Sequence, residues 1–75
     1  MAHFIDNWVW EPMDEQILAC ARDGRRFPSS TSYRWQAEAL QEQGFINIEG
    51  IENNCMLATL TDKGRETAKK VLCGA

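Results

Sequence analysis

Few side chains in this sequence could do covalent or metal chemistry. There is one histidine, His3, near the N-terminus, and the three cysteines, Cys20, Cys55 and Cys73, lie far apart along the chain. Without a Cys-x-x-Cys pair or a second histidine, we expect neither a zinc site nor a disulfide framework. The sequence also has no glycine-rich phosphate loop and no obvious pair of catalytic carboxylates, so we expect no enzyme and no cofactor.

Polar and cationic side chains are instead concentrated between residues 25 and 35. Arg25 and Arg26 stand before a loop, and four consecutive hydroxyl residues precede the central pair Arg34 and Trp35. Hydroxyls and the amides at a helix N-terminus suit phosphate, and arginine can make two hydrogen bonds to guanine. A net charge of −3 disfavours indiscriminate binding to nucleic acid. The local pattern is nevertheless a basic footprint of the kind that a groove-binding element needs.

This cluster lies in the stretch SSTSYRWQAEALQEQGFI, residues 29–46, which predicts one amphipathic helix followed by a strand. The hydroxyl run supplies N-cap residues, whose side chains can accept from the first helical amides. Gly44 can adopt the left-handed conformation that ends a helix. The spacing places Tyr33, Ala37 and Leu40 on a buried stripe and Trp35 on the opposite face. Trp35 is therefore exposed unless the N-terminal segment folds over it.

The rest of the chain predicts two more helices and a hairpin. The first helix should run from Pro12 to Asp23, with proline at its first position and Gly24 as its stop. A loop or very short strand follows over residues 25–28. Two strand-like runs, 45–49 and 55–60, are separated by a turn that contains Gly50, Asn53 and Asn54. Thr61 should cap the last helix, over residues 62–72, which buries Gly64, Ala68, Val71 and Leu72.

The N-terminal residues 1–11 are unusually aromatic for a tail, with Phe4, Trp8 and Trp10 among them. We expect an extended aromatic arm, with one tryptophan turned inward and the other outward, packed on the domain or on a second subunit. The arm has neither the basic start nor the clean apolar core of a secretory signal. No apolar run approaches the length of a membrane span, so we expect a cytoplasmic protein with no membrane partner.

The order helix, loop, helix, glycine, hairpin, helix is similar to that of the winged helix-turn-helix family, in particular to MarR- and PadR-type transcriptional regulators. The junction residues Leu40, Gly44, Phe45 and Ile46 resemble the end of that family's recognition helix. Leu60, Thr61, Gly64 and Arg65 resemble its Leu-Thr-x-x-Gly-Arg element after the wing. The resemblance implies an α+β fold: a compact winged helix-turn-helix domain over residues 12–73, with helices packed on a small antiparallel hairpin. We expect the helix that normally precedes the recognition helix to be abbreviated to a turn around residues 28–31, or absent.

By this resemblance, the helix over residues 30–43 enters the major groove of DNA. Thr31, Ser32, Arg34 and Trp35 would face the bases, and Ser29 and Ser30 would lie near phosphate. The basic pair Arg25 and Arg26 would add contacts to the backbone, which weaken as salt rises. The resemblance therefore implies a small sequence-specific transcriptional regulator, from a bacterium or a phage, that binds DNA as a homodimer.

A second function remains open, because the predicted wing carries Glu49 and Glu52 and no base. In this alternative the winged helix is a protein-interaction module that does not bind DNA. The tryptophans Trp8, Trp10 and Trp35 would supply the aromatic anchors that protein interfaces favour, and the acidic side chains would face a basic partner.

Overall fold

A computed structural model describes the backbone of residues 3–73 and the side chains of residues 4–72. Our interpretations of residues 1–2 as part of the arm, and of the His3 and Cys73 side chains, lie outside the described residues. The elements follow the order β1 (His3–Ile5), β2 (Trp8–Trp10), α1 (Pro12–Asp23), β3 (Phe27–Pro28), α2 (Thr31–Glu42), β4 (Ile46–Glu52), β5 (Cys55–Leu60) and α3 (Asp62–Cys73). The α+β class is confirmed. None of the helices within residues 3–73 has the length and apolar character needed to cross a membrane.

The strands form two antiparallel sheets. Strands β1 and β2 make a hairpin of their own, whereas β5 lies between β3 and β4 in a three-stranded sheet. The short strand β3 pairs Phe27 with Met56, so the segment after α1 is a strand, as one of our two alternatives predicted. Helix α1 packs against α2, α3 and β5, and the core lies between these helices and the three-stranded sheet.

The aromatic arm is a β-hairpin, and our expectation that its two tryptophans face opposite ways is wrong. Successive side chains of a strand alternate between its faces, so Trp8 and Trp10 must share one face. Both rings pack on Phe45, with ring centroids 6.1 Å and 5.1 Å away respectively, and Val9 is exposed. The turn between the strands is formed by Asp6 and Asn7, both with positive φ, a conformation typical of two-residue hairpin turns.

The hairpin is also joined to the start of α1 through a buried carboxylate. Asp14 is fully buried and accepts hydrogen bonds from the Glu11 amide at 3.2 Å and from the Trp8 indole nitrogen at 3.4 Å. Asp14 therefore does more than oppose the helix dipole, because it ties the arm to the domain. The bounds of α1 agree with the prediction, and Gly24 follows it in the left-handed conformation with φ 72°.

Helix α2 ends as the sequence predicts, but its start differs. The Phe45 amide donates to the Leu40 carbonyl at 3.0 Å and the Gly44 amide to the Gln41 carbonyl at 2.9 Å. This is the Schellman pattern, which requires the left-handed residue that Gly44 provides at φ 87°. At the other end Ser30 is the N-cap residue, yet its hydroxyl makes no capping hydrogen bond.

The hairpin of β4, β5 and their turn, here called the wing, is longer than predicted. Strand β4 continues to Glu52, and the turn consists of Asn53 and Asn54, both with positive φ. Gly50 lies inside the strand, where the register shifts between Ile48 and Gly50. Placing Gly50 in the turn was therefore wrong, because a glycine in a strand pattern also marks a bulge.

The end of α2 is joined to the start of α3 by a close backbone contact. The Thr61 hydroxyl caps α3 by accepting from the Gly64 amide at 2.9 Å, and it donates to the Gly44 carbonyl. A side-chain carbon at Gly64 would overlap the carbonyl oxygen of Phe45. The two motifs that carry the family resemblance therefore meet at one point, and glycine is required there because only glycine leaves room.

Substituting this glycine tests the contact. We expect Gly64→Ala to lower the free energy of unfolding by about 3 kcal/mol or more, since the new methyl group must push the backbone at Phe45 away. Gly50→Ala is the matched control, because no atom lies within 4 Å of the added carbon there. Urea denaturation followed by circular dichroism measures both variants, and equal unfolding midpoints would contradict the proposed role of Gly64.

Hydrogen bonds also join the turn of the N-terminal hairpin to α3. The Asp6 carboxylate accepts from the Thr67 hydroxyl at 2.6 Å and from the Lys70 ammonium group at 3.2 Å. The hydrogen bond from Thr67, followed by the contact with Lys70, lowers the pKa of Asp6 below its ordinary value. The ionised form of Asp6 therefore stabilises the folded state.

We expect the stabilising effect of Asp6 to depend on pH. Asp6→Asn keeps a residue type that tolerates positive φ, so it removes the charge and leaves the turn intact. The stability difference between wild type and variant should be full above about pH 4, the ordinary pKa of an aspartate. It should shrink as the pH falls through the lower pKa of the folded state. Urea midpoints from pH 7 downward measure this, and a difference independent of pH would refute it.

Candidate nucleic-acid interface

The exposed face of α2 carries an arginine and a tryptophan side by side. A shallow cavity of about 140 Å³ is lined by Thr31, Arg34, Trp35 and Glu38, whose spacing of three or four residues makes them neighbours on one face of the helix. The Trp35 side chain is 70% exposed, and the N-terminal hairpin packs elsewhere. The structure therefore answers the question that the sequence left open, because nothing in the described chain covers Trp35.

Helix α2 is held firmly behind this face. Ala37 and Leu40 are fully buried and Tyr33 is partly buried against the core, so the predicted stripe is confirmed with Tyr33 at its edge. The Tyr33 hydroxyl donates to the Gln16 side chain of α1 at 2.8 Å. On the other side the Gln41 side chain accepts from the Ile48 amide of the wing at 2.7 Å. Because both neighbours of α2 are bonded to it, the exposed residues are presented on a rigid platform.

The wing turn lies beside the start of α2. The Ser29 amide donates to the Asn54 carbonyl at 3.0 Å, so the turn and the hydroxyl run are adjacent. Ser30, Thr31 and Ser32 are exposed and Ser29 is partly buried. The predicted hydroxyl residues are thus brought together at one end of α2, next to the tip of the wing.

Arg25 and Arg26 are less available than the sequence indicates. Arg25 lies 3.8 Å from the Asp23 carboxylate, and Arg26 lies 3.8 Å from that of Glu52 on β4. The pKa of Asp23 is lowered, first by its hydrogen bond from Arg22 and then by the charges of Arg22 and Arg25. These exposed pairs contribute little stability, but each places a negative charge beside an arginine that was predicted to contact phosphate.

Arg34 differs from every other cation in the described part of the chain. The sequence has eight lysine and arginine residues, and within residues 4–72 Arg34 alone has no polar or aromatic partner. Lys63 donates to the Gln43 carbonyl at 2.8 Å and lies over the Phe45 ring. The remaining six form ion pairs: Arg22, Arg25, Arg26, Arg65, Lys69 and Lys70. The positive charge of Arg34 is thus free to attract a ligand.

The three predicted interface tryptophans do not form one surface. Trp10 is fully buried and Trp8 is partly buried against Phe45, so Trp35 is the exposed member of the set. The sequence interpretation missed a different apolar pair on the outward face of the hairpin, Phe4 and Val9, which are 66% and 53% exposed and opposite each other in the register. Strict alternation along β2 would have identified Val9 as the outward residue.

Among the described residues, no group of histidine, cysteine, aspartate and glutamate side chains is arranged to hold a metal ion. Comparison with protein-family models, with curated proteins and with solved structures found no match to this chain. Its function must therefore be argued from the face of α2 itself.

Proposed function

We propose that this protein is a small DNA-binding regulator of the winged helix-turn-helix type, in which α2 serves as the recognition helix. The observation that carries the proposal is the unpaired Arg34 beside the exposed Trp35 on the outer face of α2. An arginine without an internal partner is available for a phosphate or a base edge. The order of α1, β3, α2, wing and α3 supports the same proposal, although the helix that normally precedes the recognition helix is absent, since residues 24–30 contain only the short strand β3.

The charges around α2 set the expected strength of this binding. Glu38 and Glu42 on the helix and Glu49 and Glu52 on the wing oppose phosphate, and Arg25 and Arg26 are near carboxylates. One domain therefore makes few phosphate contacts, so its binding should be weak and its dependence on salt shallow. A homodimer would double the contacts, as paired half-sites do for other recognition helices.

Charge removal at Arg34 tests the proposal. We expect Arg34→Gln to weaken binding to DNA about tenfold, the loss of one charge-assisted hydrogen bond. The slope of log affinity against log salt should fall by about one phosphate contact. Fluorescence anisotropy with a labelled DNA hairpin that carries a single-stranded extension, at about 50 and about 200 mM salt, measures both effects.

The matched control is Lys69→Gln, which removes the same charge from α3 and leaves α2 unchanged. We expect this variant to bind like the wild type. Equal weakening by Arg34→Gln and Lys69→Gln would show that only net charge matters. No binding by the wild type at low salt would refute the proposal outright.

The second candidate function is a protein-interaction module, which the 70% exposure of Trp35 favours. A tryptophan at the centre of an interface typically contributes about 2 kcal/mol or more. If α2 binds a second copy of this chain, Trp35→Ala should weaken self-association by that amount in sedimentation equilibrium. Phe4→Ala, which removes an exposed aromatic from the hairpin, is the control. Unchanged self-association in Trp35→Ala would rule out this use of α2.

A further inference from the structure

Three surfaces stand apart from the packing already described. The first is an apolar pocket of about 230 Å³ rimmed by Arg22, Arg65 and Lys69, but Asp23, Asp62 and Glu66 neutralise those cations. The second is the exposed pair Phe4 and Val9, an apolar patch for which nothing in the structure indicates an occupant. The third is the cavity on α2, where an exposed ring, a free cation and a free carboxylate meet.

We infer that the cavity on α2 binds an unpaired guanine base of DNA, stacked on Trp35 and held by the carboxylate of Glu38. This inference rests on the DNA binding by α2 that we propose above, and it differs from paired half-sites on a duplex in naming an unpaired base as the target of the same face. The four residues that line this cavity combine an aromatic surface with one positive and one negative side chain.

The exposed indole of Trp35 is a stacking platform. Bases of single strands stack on aromatic side chains, and each such contact contributes substantially to binding whatever the base. The bases of a continuous duplex already stack on one another, so a duplex has no free base face to offer. The exposed ring of Trp35 near the start of α2 therefore favours binding of a base that is not stacked within a duplex.

The carboxylate of Glu38 selects which base is bound. Glu38 lines the cavity with Trp35, and within the described residues it has no ion pair or side-chain hydrogen bond. A carboxylate offers two acceptor oxygens, and guanine alone presents two adjacent donors, N1–H and N2–H, on its Watson–Crick edge. The corresponding edges of adenine, cytosine and thymine place an acceptor beside the donor, which the negative charge would repel. In a duplex that edge of guanine is already paired, so the base must be unpaired.

Arg34 and the acidic residues of the wing favour a single strand over a duplex. Arg34 lies at the same cavity and can bind the phosphate of the stacked nucleotide. The wing residues Glu49 and Glu52 would repel the second phosphate backbone of a duplex that spans both α2 and the wing. Among the described residues, Arg34 therefore carries the only positive charge without a partner. It lies where one strand can reach it and two strands cannot.

The experiment compares five DNA hairpins that share one stem. One is blunt, and one carries a short single-stranded extension of thymines only. The other three carry the same extension with one thymine replaced by guanine, adenine or cytosine. Anisotropy titrations at low salt give the affinity of each. We expect the guanine extension to bind about tenfold more tightly than the other extensions and the blunt stem, the size of one well-made base contact.

Variants separate stacking from base selection. Trp35→Ala should weaken binding of every extension about tenfold or more, and Trp35→Phe should restore part of it. Glu38→Gln should abolish most of the preference for guanine, because an amide offers only one acceptor and adds a donor. Glu42→Gln, on the next turn of α2 and outside the cavity, is the matched control and should keep the preference. All three positions are exposed, and melting temperatures will show whether the four variants fold.

The outcomes distinguish this inference from the proposed function. Equal binding of all extensions, tighter binding of the blunt stem, or a guanine preference that survives in Glu38→Gln overturns the inference and leaves DNA binding in place. Failure of the wild type to bind any of these DNAs overturns both.

Discussion

The contact between the backbone at Phe45 and Gly64 is the constraint on which the rest of the structure depends. It joins the end of α2 to the start of α3, and the Thr61 hydroxyl fixes it by bonding to both segments. The side chain of Phe45 extends from the same point, and Trp8 and Trp10 pack against its ring. In a chain of 75 residues, whose core is necessarily small, one such junction orients two helices and the N-terminal hairpin together.

The direction in which α2 faces follows from this junction. With its C-terminal end fixed at Gly44 and its inner stripe buried, the helix can present only one side outward. That side carries Arg34 and Trp35. A fixed helix favours binding, because its backbone does not have to be ordered when a ligand arrives. The outward face of α2 is suited to a nucleic acid or to a protein partner, and the charge of the ligand determines which of the two it binds.

Long-range pairing changes the meaning of the charge pattern. Along the sequence, residues 25–36 contain only basic charges and residues 37–60 only acidic ones. The antiparallel sheet of β3, β5 and β4 folds the two blocks together and places Arg26 beside Glu52. The apparent basic footprint is therefore reduced to Arg34. A block of like charge in a sequence measures a local composition, whereas the field at a surface depends on what the fold brings opposite it.

Local signals in the sequence were enough to predict the helices, the existence of the last hairpin and the α+β class, because caps, stops and apolar spacing act within a few residues. Pro12, Gly24, Gly44 and Thr61 mark their boundaries as predicted. The winged-helix family and DNA binding remain predictions. Strand alternation puts Trp8 and Trp10 on one face, but the fold was needed to show that this face packs on Phe45, that Trp35 stays uncovered, and that Arg34 has no side-chain partner among the described residues. Each of these depends on contacts between residues distant in sequence, which no local pattern encodes.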